Sequence, residues 1–233
     1  MLATRRKLLL QGLTVGAASL VARGAFAEAL ATAVTGDGPY YPDRLPLDTD
    51  NDLIVINDQL TPAVGEIAHF GGRLLDESGA PVANAFIEIW QADVNGSYIH
   101  TEGRNDGKLD GNFQGYGRFL TASDGRYYFR TIKPVPYTLQ GQFRAPHIHV
   151  AVSKGGKRIM ATQALVYGHS ANADDLITRR IKDPAVLETL MVEYKPLPGS
   201  RLGELTANFD IRLGRTAQEL DNGRLGGIGK PPA

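Results

Sequence analysis

His147 and His149 stand one residue apart in the apolar run FRAPHIHVAV, and they are two of only five histidines in 233 residues. Side chains alternate across a strand, so in that conformation both imidazoles face one way and Ile148 the other. Two imidazoles on one face suit a shared metal ion. They suit a hydrogen-bonded pair in a core equally well, and the spacing alone does not choose between them. Arg144 and Pro146 immediately precede the pair, and a guanidinium there is a permanent cation beside any metal or substrate anion. Two tyrosines lie upstream, Tyr137 in KPVPYTLQ and Tyr98 in WQADVNGSYIH. A tyrosine taken singly is usually a packing residue; taken with the histidines, these two suggest a mixed phenolate and imidazole site. His69, His100 and His169 have no such company, although His100 follows Tyr98 closely enough to stand behind the site.

Composition narrows the chemistry further. Cysteine is absent, which removes thiolate metal sites, disulfides and cysteine nucleophiles together. Any ligands must be oxygen or nitrogen. The 25 basic and 25 acidic residues cancel, so no basic field gathers nucleic acid. With 42 % of residues apolar and 21 % charged, one domain with a substantial core is expected.

The elements that must position these side chains read as short strands. Residues 28–66, rich in Pro, Asp and turn formers around GPYYPDRLPLDTDND, are expected to form an N-terminal arm that wraps the domain. From Ile67 three hairpins are predicted: 67–76 with NAFIEIWQA through the turn ESGAP, GYGRFLTA with RYYFRTI through SDG, and PHIHVAVS with IMATQALVY through KGGKR. LTANFDIRL is a further strand. Six or seven strands so spaced predict an all-β fold, a β-sandwich over 67–215. Only 171–193 looks helical, as a short excursion between strands. Trp90, the only tryptophan, is expected to pack behind the site, and residues 216–233 form a loose tail.

Together these residues carry a resemblance. GGRLLDESGAPVANAFIEIWQADVNGSY, then RYYFRTIKPVPY, then RAPHIH resemble the core of the intradiol ring-cleavage dioxygenases, most of all the β-type chain of the protocatechuate 3,4-dioxygenases, over about residues 36–166. The resemblance implies a prealbumin-like β-sandwich. It implies a non-haem ferric ion, Fe(III), held by Tyr98, Tyr137, His147 and His149. Tyr98 would also act in catalysis, as a ligand displaced by substrate, and Arg144 would steady charge developing on the ring. Gly38, Pro39 and Tyr40 match the loop that lines the family's substrate pocket, and Gln163 matches the glutamine of the strand after the histidines. The implied substrates are a small aromatic diol of the catechol or protocatechuate kind and O₂, the product a cis,cis-muconate-type diacid, and the assembly a homo-oligomer. Two phenolates favour a highly charged ion, since a bound metal can ionise a phenol whose ordinary pKa is about 10. Zinc on two histidines more often recruits a carboxylate or a third histidine. The chain departs from the family in a shorter gap between Tyr137 and His147, in Leu139 where an aromatic is usual, and in lacking a long helical region before the sandwich.

The N-terminus adds a location. Arg5, Arg6 and Lys7 precede an apolar stretch from Leu8 to Ala22 and then Ala25-Phe26-Ala27, the form of a cleavable signal. The apolar stretch is shorter than the roughly 20 residues a span needs, and its TRRKLL opening resembles a twin-arginine address. A signal peptide over 1–27, a periplasmic or secreted product and no lasting membrane anchor are expected. Two rivals stay open: a secreted non-catalytic prealbumin-like binding module, and the same strand holding copper or zinc.

Overall fold

The structure, a computed structural model, describes residues 30–57 and 59–214, with the backbone of residues 218–219 and 225–226. The expected signal peptide at 1–27 and most of the expected tail lie outside the described residues. The strands in chain order are β1 (Ile67–Leu75), β2 (Phe86–Trp90), β3 (Tyr116–Leu120), β4 (Arg126–Ile132), β5 (Tyr137–Leu139), β6 (Gln142–Arg144), β7 (His147–Lys154) and β8 (Lys157–Val166). A 3₁₀ turn at Ser170–Ala173 and the helices α1 (Leu176–Arg180) and α2 (Pro184–Glu188) follow. The chain then returns to β9 (Met191–Val192), β10 (Tyr194–Pro196), β11 (Leu205–Asn208) and β12 (Ile211–Arg212), and β13 (Gln218–Glu219) pairs with β14 (Leu225–Gly226).

Two five-stranded sheets make the body. In the first, β1 is bordered by antiparallel β4 on one side and by parallel β11 and β12 on the other, with β10 beyond β11. The second runs β3-β2-β7-β8-β9. Phe70, Leu74, Tyr127 and Phe129 from the first pack against Ile87, Ile89, Ile148, Val150 and Val152 from the second, all buried in one cluster. Each such side chain withdrawn from water contributes about 1.5–3 kcal/mol. This interleaving of two inner faces is the β-sandwich that the strand count predicts.

Two of the three predicted hairpins are corrected. β1 and β2 lie in different sheets, as do β3 and β4. The turns at ESGAP and SDG reverse the chain as expected, yet each carries it from one layer to the other. Their residues specify a reversal, whereas sheet membership is set by which face must be buried. The third, β7 with β8, is a hairpin, with a register shift between Val152 and Ser153. LTANFDIRL divides at Phe209–Asp210, where the Phe209 amide donates to Gly71 O at 2.7 Å. The helical excursion is also shorter than 171–193: after α2 the chain is extended again, β9 lying parallel to β8 and β10 antiparallel to β11.

The segment from residue 30 to 57 contains no strand but is tied to both layers. Thr32 N donates to Arg212 O at 3.0 Å, Thr35 N to Ala161 O at 3.1 Å and Leu53 N to Arg130 O at 2.8 Å.

Candidate metal centre

The outer face of the second sheet forms the floor of the site. In β7, Ile148, Val150 and Val152 turn inward to the core, so His147, His149 and Ala151 turn outward. Register sets Trp90 of β2 and Gln163 of β8 on either side of His149. The His149 ring lies flat against Trp90, with centroids 4.9 Å apart and planes 8° from parallel. His147 Nδ1 is 2.6 Å from Ala145 O. Only an N–H can make that contact, so the other nitrogen, Nε2, carries the lone pair.

Loops supply the roof. The buried Asp93 organises the one bearing Tyr98: its Oδ1 accepts from Asn95 N and Ser97 N at 2.8 and 2.9 Å, and Oδ2 from Asp110 N at 2.6 Å. Gly96 takes φ +77°, and a Cβ there would lie 2.7 Å from Tyr137 Cβ, so the two tyrosine-bearing segments meet only because Gly96 has none. Tyr137 and Arg144 face each other across the β5–β6 pair. Gln140 and Gly141 both have positive φ, +49° and +76°, the signature of a tight hairpin turn. Sequence reasoning missed this hairpin because its strands are three residues long and Gln-Gly is a weak signal for such a turn.

The structure brings Tyr98, Tyr137, His147 and His149 together, all buried. Tyr137 Oη lies 3.0 Å from Tyr98 Oη, which lies 3.4 Å from His147 Nε2, which lies 3.2 Å from His149 Nε2. Ligands about 2.0–2.2 Å from one ion and roughly 90–110° apart are separated by about these distances. The donor set therefore fits a single metal ion. Among the described residues no three His, Asp or Glu side chains cluster to hold one, so the phenols are needed to complete a ligand set. Burial pushes the Tyr98 phenol well above its ordinary value, with Tyr137 adding to the effect, and pushes Tyr137 up to about 12 although Arg144 opposes it. Burial, then the Arg144 charge, brings His147 down to about 3; burial, His147 and Arg144 bring His149 well below its usual range. Both imidazoles are therefore neutral at pH 7, the form that ligates metals.

Arg144 is buried at the edge of this group. Its Nε donates to Asp175 Oδ2 at 2.8 Å and its Nη2 to Gln163 Oε1 at 2.5 Å. From the arm, Tyr40 stacks on Tyr98 with centroids 5.3 Å apart. Gly38, at φ +72°, passes so close to His149 that a Cβ would lie 2.8 Å from its Cε1. Pro39 between them is exposed. The arm is clamped there by groups the sequence did not single out. Arg158 pairs with Glu88 at 2.9 Å and Asp37 at 3.0 Å and lies over the Tyr41 ring at 4.5 Å; Glu88 also accepts from Tyr41 Oη at 3.1 Å and from Tyr116 Oη. Of the other histidines, His69 meets Tyr128 at 2.6 Å and His169 caps the 3₁₀ turn, whereas His100, whose Nδ1 accepts from Glu102 N, lies edge-on to the Tyr40 ring with centroids 5.9 Å apart.

Several known proteins resemble this chain in sequence and in fold. The family model described as "Dioxygenase" matches residues 36–214. The protocatechuate 3,4-dioxygenase beta chain of Burkholderia cepacia is 44% identical over 92 residues, 38% of this chain and 39% of that one. The hydroxyquinol 1,2-dioxygenase of Rhizobium sp. (strain MTP-10005) is 32% identical over 146 residues, 56% of this chain and 46% of that one. The matched stretch thus spans less than half the length of either relative. Among solved structures, catechol 1,2-dioxygenase from Acinetobacter sp. ADP1, inhibited by bound mercury, superposes with TM-score 0.63 at 25% identity, covering 87% of this chain and 68% of that one. These relatives are named as catalysts, which leaves the binding-module alternative without support. With the family match covering most of its length, the chain belongs to the intradiol ring-cleavage dioxygenase family.

Proposed function

We propose that the protein is a non-haem Fe(III) intradiol dioxygenase that cleaves a catechol-type ring between its hydroxyl-bearing carbons, inserting both atoms of O₂ to give a cis,cis-muconate-type diacid. The observation that carries this is the convergence of two phenols and two neutral imidazoles, buried side by side with successive donor atoms 3.0–3.4 Å apart from Tyr137 through Tyr98 and His147 to His149. Tyr98, Tyr137, His147 and His149 would hold the ion. Ferric iron, when bound, supplies Lewis acidity that draws electron density from the ring and opens it to O₂. Two phenolates match its charge better than they match copper(I) or zinc.

The chain's own residues account for the rest. Tyr98, whose phenol burial keeps strongly basic once ionised, takes up a proton from an incoming catechol hydroxyl at Oη and returns to the phenol form. Tyr137, His147 and His149 stay in place. Arg144, with Nε and Nη2 already committed, turns the remainder of its guanidinium to the negative charge that develops on the substrate oxygens. Gly38, Pro39 and Tyr40 cover the site and exclude water, and Gln163 keeps the guanidinium level with the histidines. We assign the substrate to the catechol and protocatechuate class, and infer a homo-oligomer exported through the twin-arginine signal to the periplasm or beyond.

The test is the visible spectrum of aerobically purified mature protein, before and after catechol is added without oxygen. A broad tyrosinate-to-iron band that shifts with catechol, followed by oxygen uptake, is expected. Protein that stays colourless after ferric reconstitution overturns the proposal, and metal analysis of the same sample identifies copper or zinc if either takes the site.

A further inference from the structure

A buried carboxylate outside the four-donor set joins two parts of the site. Asp175 has no exposed surface. Its Oδ1 accepts from Ile177 N at 2.8 Å and Thr178 N at 3.3 Å, capping α1. Its Oδ2 does something a cap does not require: it accepts from Arg144 Nε at 2.8 Å and from Ala145 N at 2.9 Å. Ala145 O then receives the hydrogen of His147 Nδ1. One carboxylate thus reaches the guanidinium directly and the imidazole through a single residue.

Capping alone does not explain this placement. Asp183 caps α2 by accepting from Ala185 N at 2.9 Å, and it does so from an exposed position. Burying a carboxylate is costly unless an opposite charge and hydrogen bonds compensate it. Here burial opposes the charge, while Arg144 and the hydrogen bonds from Arg144, Ala145 and Ile177 outweigh it and hold the carboxyl below its usual range. The fold accepts that arrangement where Arg144 can then point only one way, between Asp175 and Gln163.

We propose that Asp175 is a positioning residue of the site, fixing the direction of the Arg144 guanidinium and, through Ala145, the orientation of the His147 ring. The proposal rests on the dioxygenase function given above. It makes the helical excursion part of the catalytic apparatus.

The experiment compares Asp175→Asn, Asp175→Ser, Asp175→Glu, Arg144→Gln and the double variant D175N/R144Q in the full chain. Serine is a good helix cap but too short to reach Arg144, so D175S separates capping from positioning and serves if D175N fails to fold. In iron-free protein, hydrogen exchange at Arg144 Nε and at the Ala145 amide is expected to be at least about tenfold faster in D175N and D175S than in wild type. In the iron-loaded enzyme, kcat with catechol is expected to fall about 10- to 100-fold, with D175E recovering part of it. The double variant should lose much less than the product of the two single losses. Unchanged exchange, a D175S enzyme as active as wild type, or losses that multiply would each overturn the proposal. A wild-type protein that cleaves no catechol sinks the function instead, and the exchange comparison then decides the positioning by itself.

Discussion

At the four donor atoms, protonation decides how an ion is taken up. His147 and His149 are neutral at pH 7 and have no proton to lose, whereas Tyr98 and Tyr137 are phenols held above their ordinary range. Both must ionise to bind as phenolates, so uptake of chelated ferric iron should release about two protons from the protein near neutral pH once the protons taken up by the freed chelator are subtracted, and the affinity for the free ion should climb about a hundredfold per pH unit. Calorimetry in two buffers of different protonation enthalpy measures this; Tyr137→Phe should reduce the release to about one, and release of none would mean that the phenols are not ligands. The histidine pair was legible in the sequence because a period of two on a strand fixes a shared face. The tyrosines were suggested by their company with the histidines and assigned as ligands only through the family resemblance, since neither the Tyr98 loop nor a three-residue strand carries a periodicity that declares a phenol. Asp175 was not legible: its partner lies 31 residues away, and locally it reads only as a helix cap.

Within β7 the two faces of one strand make separate contributions. Ile148 lies in the core and its neighbours on the other face form the site. Ile148→Ala should cost about 2–5 kcal/mol of stability while the folded fraction of the iron-loaded protein keeps its visible band; a shifted band would show that the core is relayed to the metal. The clamp on the arm ties stability to pH through Glu88. Burial alone would raise the Glu88 carboxyl, but hydrogen bonds from Tyr116, Arg158 and Tyr41 and the Arg158 charge hold it below 4.5. A carboxyl lowered on folding stabilises the native state above its unfolded pKa, and that stability is lost as pH falls through the folded value. Glu88→Gln should therefore lower stability by about 1–3 kcal/mol at pH 7, with the gap to wild type closing as pH drops below about 4.5. Thermal melts from pH 7 to pH 3 give the answer, and a gap that widens toward acid would contradict the assignment. At this scale the sequence signals for turns were sound, but the partners of β1 and β2 were not legible, because the turns specify where the chain reverses and long-range burial decides which sheet receives the next strand.

Across the whole molecule, the first described residues fasten to some of the last. Thr32 bonds both ways with Arg212, Ala33 N donates to Thr189 Oγ1, Thr162 Oγ1 donates to Ala33 O, and Thr35 and Gly36 bond to Ala161 O. At about 0.5–1.5 kcal/mol for each hydrogen bond, deletion through Gly36 should lower the unfolding free energy by several kcal/mol, whereas deletion through Ala27 leaves all of these bonds in place. Chemical denaturation of the two shortened chains distinguishes them, and equal midpoints would show that these ties are dispensable. The layered architecture was legible as a strand count. The wrapping was legible only as a Pro- and Asp-rich composition, since nothing local in such a segment states which distant strand it will meet.

The contrast between a sheet-built floor and a loop-built roof also bears on how the protein can change. His147, His149 and Gln163 occupy strands whose opposite faces hold the sandwich together, whereas Tyr40, Tyr98, Arg144 and Asp175 arrive on the arm, a loop, a three-residue strand and a helix cap. Mutation therefore has unequal access to the site. Selection for bulkier or differently charged rings can work through those positions of the arm beside Tyr40, the Tyr98 loop and the α1 cap that hold no site residue, since these segments lie outside the cluster between the two sheets, while the histidine floor is inherited as one piece with the stability of the fold.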